Sequence, residues 1–235
     1  MTGMEPGRAR RRQTGKGNWL GALAAAVLLA CPVPGPAAAE EMAALGNGRA
    51  LFGKVAQGST NLSAFPKWTG TLERYFAERD VAEGSCEESF FTRCHLKEWV
   101  RFLDGLRGKS RQTQIEEVNH YVNNVSYLTD PVNYGVPDYW AVPREHLTRR
   151  GDCEDYAIAK FLSLRHLGFA DEDLRIVILQ DLNLRIPHAV LAVYVNEQAF
   201  ILDNQIGTVV PASAVRHYQP VYSVNESHWW LYLNP

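Results

Sequence analysis

Three residues in the C-terminal half of the chain could together cut an amide bond: Cys153, His188 and Asp203. A cysteine nucleophile needs a base to take its proton and a third group to orient that base. Cys153 lies within the stretch GDCEDYA, residues 151–157. Gly151 permits a tight turn, and Asp152 can cap the helix that follows. Cys153 then falls in the first helical turn, where free N–H groups and the positive end of the dipole favour a thiolate. A cysteine serving only as a small core residue would sit among apolar neighbours. The polar, glycine-led setting of Cys153 argues against that role.

His188 opens one apolar run and Asp203 lies near the end of the next. If Asn196 and Glu197 form a two-residue hairpin turn, Val195 pairs with Gln198 and His188 lies opposite Gln205. Asp203 is then a diagonal neighbour of His188 on the same face, about 7–8 Å away at the backbone. An imidazole and a carboxylate can meet across that gap. A three-residue turn would send them to opposite faces unless a bulge intervened.

Asp152, Glu154 and Asp155 bracket the cysteine, and their charges oppose a thiolate. Two readings of them are open from the residues alone. Asp152 caps the helix while the others meet Arg149, Arg150 or solvent; or the hard oxygens hold a cation, for which Ca²⁺ suits better than a softer metal. Cys153, His188 and Asp203 offer no fourth ligand at a spacing that suggests a transition metal.

The elements that must position these groups follow from periodicity. Tyr156, Ala157, Ile158, Ala159, Phe161, Leu162, Leu164 and Leu167 make a helix apolar on most sides, hence buried. Gly168 supplies its left-handed C′ position, and Phe169 the hydrophobic contact after it. Upstream, Pro66 suits a first turn, with Trp68, Leu72, Tyr75 and Phe76 following at helical spacing. Leu96, Trp99, Val100, Leu103 and Leu106 face a second helix, and Ile115, Val118, Val122 and Val125 a third. The proline- and aromatic-rich stretch 129–143 predicts a connection without regular structure, either a wall of the cleft or a packed connector. Residues 174–179, 188–195 and 200–204 predict strands apolar on both faces, with further strands at 209–211 and 218–233. Residues 40–63 predict only a flexible lead-in or a short edge element. Helices first and strands afterwards indicate an α+β domain with an antiparallel sheet.

The chain has 235 residues, 46% of them hydrophobic, and a formal net charge of −2. That suits one globular domain with a sizeable core and gives no basic stripe for nucleic acid. Arg8, Arg10, Arg11, Arg12 and Lys16, a short apolar run at 19–30 and the alanines 37–39 predict a signal peptide over 1–39. Residues 28–31 also read as a lipoprotein box that would anchor Cys31; the proline after it and the later alanines favour soluble export. In an oxidising compartment Cys86 and Cys94 can pair, a short loop worth roughly 2–3 kcal/mol, which leaves Cys153 as the odd thiol. Both being free is the other possibility.

The stretch DYWAVPREHLTRRGDCEDYAIAKFLSLRHLGF, followed by PHAVLAVYV and FILDN, resembles the bacterial transglutaminase-like cysteine proteases, in particular the LapG family; FPKWTGTLERYF and YSVNESHWWLY also fit. The resemblance covers most of residues 40–235. It implies a papain-like/transglutaminase-like fold, with a helical lobe over about 64–168 and a β lobe over about 172–235. It implies a Cys153–His188–Asp203 triad that hydrolyses a peptide bond through an acyl-enzyme. Ca²⁺ at Asp152, Glu154 and Asp155 is implied as well. So are a periplasmic location, a large surface adhesin cut in its N-terminal region at a paired-alanine site to release cells from a biofilm, and inhibitory sequestration by an inner-membrane cyclic-di-GMP receptor. Two other functions use the same residues: acyl transfer to an amine, and a non-catalytic calcium-binding adaptor.

Overall fold

The computed structural model describes residues 47–79 and 94–233. The signal-peptide reading of 1–39, Cys31 and Cys86 lie outside the described residues. Cys94 is disulfide-bonded.

Among the described residues, six α-helices and eight strands follow in chain order: β1 (Asn47–Leu51), β2 (Lys54–Ser59), α1 (Pro66–Arg79), α2 (His95–Leu106), α3 (Arg111–Asn123), α4 (Asp130–Asn133), α5 (Pro143–Arg149), α6 (Cys153–His166), β3 (Leu174–Asp181), β4 (Ile186–Val195), β5 (Gln198–Leu202), β6 (Val210–Pro211), β7 (Tyr218–Val224) and β8 (Trp229–Leu233). The strands form one sheet in the order β1-β2-β8-β7-β3-β4-β5-β6, every pair antiparallel. This is an α+β fold built on one antiparallel sheet.

α6 is buried from Asp155 to Leu164 without a break. Each fully buried Phe or Leu there contributes roughly 1.5–3 kcal/mol, so this helix is the spine of the domain. It stops as its sequence predicts: Gly168 has φ 84°, its N–H bonds Arg165 O, and Phe169 N–H bonds Leu164 O at 3.0 Å. That pairing is a Schellman motif. α3 and α5 pack against α6 on one side and β4 on the other. Trp99 of α2 ties in by donating its indole N–H to Ser163 Oγ at 2.9 Å.

The second face of the sheet carries its own core. Leu51 of β1, Ile201 of β5 and Val190 of β4 share one cluster although β1 and β5 lie far apart in strand order, so the sheet curls round it. Both faces of β3 and β4 are therefore covered, as their continuous apolar runs require.

Two parts add to or depart from the sequence expectation; in the first, the edge-element alternative for 40–63 holds and is larger than expected. Residues 47–59 are a full hairpin whose second strand pairs with β8, so the sheet includes strands from before the helices as well as after them. β2 has little apolar pattern, and its place is set by β8: at Gly58 an added Cβ would lie 2.8 Å from Trp230 Nε1. The stretch 129–143, expected to be irregular, opens with the single turn α4 and ends on the first residue of α5, with Pro near the start of each helix. Helices of four and seven residues are too short for an apolar period to reveal.

Candidate active site

The β4–β5 hairpin turns on Asn196 and Glu197, both left-handed at φ 49° and 62°, and Val195 pairs with Gln198. Pairing runs back to Leu191 opposite Leu202, where β5 ends. Past that point β4 pairs with β3 alone, so its backbone near His188 has no strand on the β5 side. His188 Nε2 lies 2.9 Å from Asp203 Oδ1, and both side chains are buried. Asp203 Oδ1 also accepts the Gln205 backbone N–H at 2.9 Å, and Oδ2 accepts the Tyr218 hydroxyl at 2.5 Å. Asn123 of α3 donates to the Asp203 carbonyl at 2.8 Å. Burial alone would raise the Asp203 carboxyl, but the bonds from His188, Tyr218 and the Gln205 N–H outweigh it and hold it below the usual range. A carboxylate kept ionised there makes Nε2 the N–H donor and leaves Nδ1 as the imidazole's acceptor.

Cys153 opens α6 as a partly exposed residue, and its thiol lies by the backbone N–H of Ala189, the residue after His188, which favours the ionised form. The helix mouth and the free edge of β4 thus meet where the histidine stands. The thiol itself points to Glu154 Oε2 at 3.2 Å.

The predicted carboxylate trio is divided around a fourth residue. Asp130, Asp152 and Asp155 each bring an oxygen within 4.8 Å of the others, and so do Asp130, Asp138 and Glu154. Asp152 stands at the N-cap position, yet its Oδ2 accepts the Asp130 N–H at 3.2 Å. Asp152 therefore serves the start of α6 in a capping box with Asp155 and reaches Asp130 as well. Among the described residues no ion pair joins either arginine to this cluster, and Arg150 has its backbone at φ 76°. Asp155 points inward, accepting from Ala141 N–H at 2.7 Å and from Asp152 N–H at 3.3 Å. Asp138 pairs with Lys67 through one oxygen. One buried oxygen on each of Asp130, Asp138 and Asp152 has no hydrogen-bond partner.

A family model described as "bacterial transglutaminase-like cysteine proteinase" matches residues 86–235. The chain belongs to that family. This proteinase is a cysteine protease whose fold is also that of calcium-bound LapG from Legionella pneumophila, at 36% identity over 58% of this chain and 77% of that one, with a TM-score of 0.54. EGTA-treated LapG from the same organism matches at the same identity and TM-score and is covered over 75%. Comparison with curated proteins gives no match.

The electrostatics of the proteinase site run against an early thiolate. Burial, then the Glu154 and Asp152 carboxylates, push the Cys153 thiol well above its usual range. The helix-dipole expectation is thus overridden by burial first and then by nearer like charges. The carboxyls raise one another too. Burial and then Asp152 and Asp138 bring Asp130 to about 6, and burial and then Asp152 and Asp130 bring Asp155 to about 8, in each case against a backbone N–H that lowers it. Glu154 is pushed far up by burial and Asp152. So many mutually opposed carboxyls in one place call for protons or a cation.

Sequence reasoning missed Asp130, Asp138 and Tyr218. The two aspartates stand beside prolines in a stretch dense with turn residues, a composition suited to an ordered loop but silent about what the loop faces. Gln205 is legible as the register partner of His188; the ladder stops at Leu202, and Gln205 reaches the ring by its side chain from the segment after β5.

Proposed function

We propose that this proteinase is a periplasmic, calcium-dependent cysteine endopeptidase. Its proposed substrate is the N-terminal region of a large surface adhesin, cut at a paired-alanine site so that cells leave a biofilm. The observation that carries the peptidase reading is the His188–Asp203 contact at 2.9 Å beside a cysteine that opens a buried helix.

Catalysis follows from the order of contacts. Asp203 holds the Nε2–H, so Nδ1 faces the reaction. Nδ1 takes the Cys153 proton, the sulfur attacks the scissile carbonyl, and Nδ1 then returns that proton to the departing amine. Water, deprotonated by the same nitrogen, releases the acyl group from sulfur. The Cys153 backbone N–H, unpaired in the first turn, serves the developing oxyanion. Tyr218 keeps Asp203 from rotating away from the ring.

The carboxylates fit Ca²⁺: all ligand atoms are hard oxygens, and three of them are buried without partners. Asp130, Asp138, Asp152, Glu154 and Asp155 would hold it. Bound there, the ion supplies positive charge that offsets the carboxylates around the thiol. That LapG from Legionella pneumophila is known in a calcium-bound form supports the same choice. Export, the adhesin and sequestration by an inner-membrane cyclic-di-GMP receptor rest on the family resemblance.

The test is incubation of the protein with adhesin N-terminal fragments from its own genome, with and without chelator. Cleavage by wild type and Cys86→Ala, lost in Cys153→Ala and with chelator, is the expected result. Cleavage that survives Cys153→Ala overturns the reading. Coupling of the acyl group to an added amine in preference to water would assign acyl transfer in its place.

A further inference from the structure

Both halves of the reacting pair are engaged elsewhere in this structure. The Cys153 thiol donates to Glu154, and the nitrogen that should receive its proton, His188 Nδ1, faces Gln205 Nε2 at 3.3 Å. With Nε2–H committed to Asp203, Nδ1 carries a lone pair, so the group opposite it must be the donor end of the carboxamide. A donor on that lone pair opposes acceptance of a proton.

The placement of Gln205 is not an accident of a loose loop. Its backbone N–H is bound to Asp203 Oδ1, while Asn123 and Asn119 of α3 hold the carbonyls of Asp203 and Gly207 on either side. The main chain is fixed, yet Gln205 itself is exposed. Its side chain, unlike its main chain, has room to move, and it lies over the catalytic nitrogen. During acylation the departing amine must occupy that same direction from Nδ1, because it takes its proton there. A peptide can therefore bind productively only by displacing the carboxamide. The displaced donor then lies beside the leaving-group half of the peptide, whose backbone carbonyl is the nearest kind of acceptor.

We propose that Gln205 is a substrate-operated gate: its carboxamide caps His188 Nδ1 when no peptide is bound and, once displaced, hydrogen-bonds the backbone carbonyl of the residue following the scissile bond. This rests on the Cys153–His188–Asp203 reading. The gate lowers reactivity toward small electrophiles that cannot displace it and raises efficiency toward extended peptides that can.

The experiment measures two rates on the calcium-loaded full domain. One is alkylation of Cys153 by iodoacetamide as a function of pH, the other kcat and KM for cleavage of an adhesin fragment. In Gln205→Ala, alkylation near neutral pH should rise about three- to ten-fold, while kcat/KM for the fragment falls about ten-fold. Gln205→Glu, whose carboxylate stabilises the imidazolium, should shift the acid limb of the cleavage profile to higher pH. Opposite signs in the two rates of Gln205→Ala establish the gate, since a folding defect lowers both. Parallel loss of both rates, or no change in either, overturns it. If His188→Ala alkylates as fast as wild type, the pairing of His188 with Cys153 fails, and the gate with it; if His188→Ala slows alkylation and Gln205→Ala leaves it unchanged, only the gate fails.

Discussion

Tyr218 and His188 hold the Asp203 carboxylate from opposite oxygens, the phenol on Oδ2 at 2.5 Å and the imidazole on Oδ1 at 2.9 Å. β7 thereby steadies a residue that comes after β5. Tyr218→Phe removes a bond to a charged group, and kcat/KM should fall roughly ten-fold, equivalent to about 1.4 kcal/mol. Asp203→Asn should cost about 10³–10⁴-fold by permitting the wrong tautomer. Steady-state kinetics of the two variants rank the contacts, and a Tyr218→Phe loss as large as that of Asp203→Asn would contradict a supporting role.

Asp130 and Asp138 lie outside the GDCEDYA stretch and join its carboxylates only through the fold. Asp130→Asn and Asp138→Asn should each weaken Ca²⁺ binding more than ten-fold by titration calorimetry, while Cys153→Ala leaves it intact. Chelator should lower the wild-type Tm and make it pH-dependent. Asp130 and Asp155 have folded pKa values of about 6 and about 8, raised above the ordinary 3.8. The folded state thus holds protons that the unfolded state has released, and stability should fall as pH rises from about 4 to 8. Added Ca²⁺ should abolish that slope.

Lys160 of α6 is fully buried, its ammonium has no hydrogen-bond partner, and burial pushes it down to about 7. Asp203 draws its charge on one side; on the other stand the Tyr156 ring at 5.9 Å and His146, itself pushed down to about 3 by burial and by Lys160. A lysine whose folded value lies below 10.5 disfavours the charged native state, so stability is lowest under pH 7 and rises toward pH 10.5. Lys160→Met should stabilise the protein by about 1–4 kcal/mol at pH 6 and flatten that rise. Thermal unfolding at pH 6 and pH 9 reads both effects.

Gly151 faces Asp155 and His146 so closely that an added Cβ would stand 2.2 Å from Asp155 Oδ2 and 2.7 Å from His146 Nδ1. Gly151→Ala should cost about 1–3 kcal/mol or more and displace the carboxylate cluster. A fall in Tm together with loss of Ca²⁺ binding is the expected pair of readings.

What the residues alone determined is local or nearly so. The buried course of α6 and its stop at Gly168 are written in its own run of side chains, because helical bonds reach only four residues. The His188–Asp203 approach is legible too, since a two-residue turn transmits register along a hairpin without help from elsewhere. The tertiary structure decided the rest: that Asp130 and Asp138 complete the carboxylate cluster, that Tyr218 braces Asp203, that residues 47–59 extend the sheet beside β8, and that the Cys153 thiol is raised and not lowered. Each of these depends on groups brought together across many residues, where Coulomb and desolvation effects follow from distance in space. Chain order does not encode that distance.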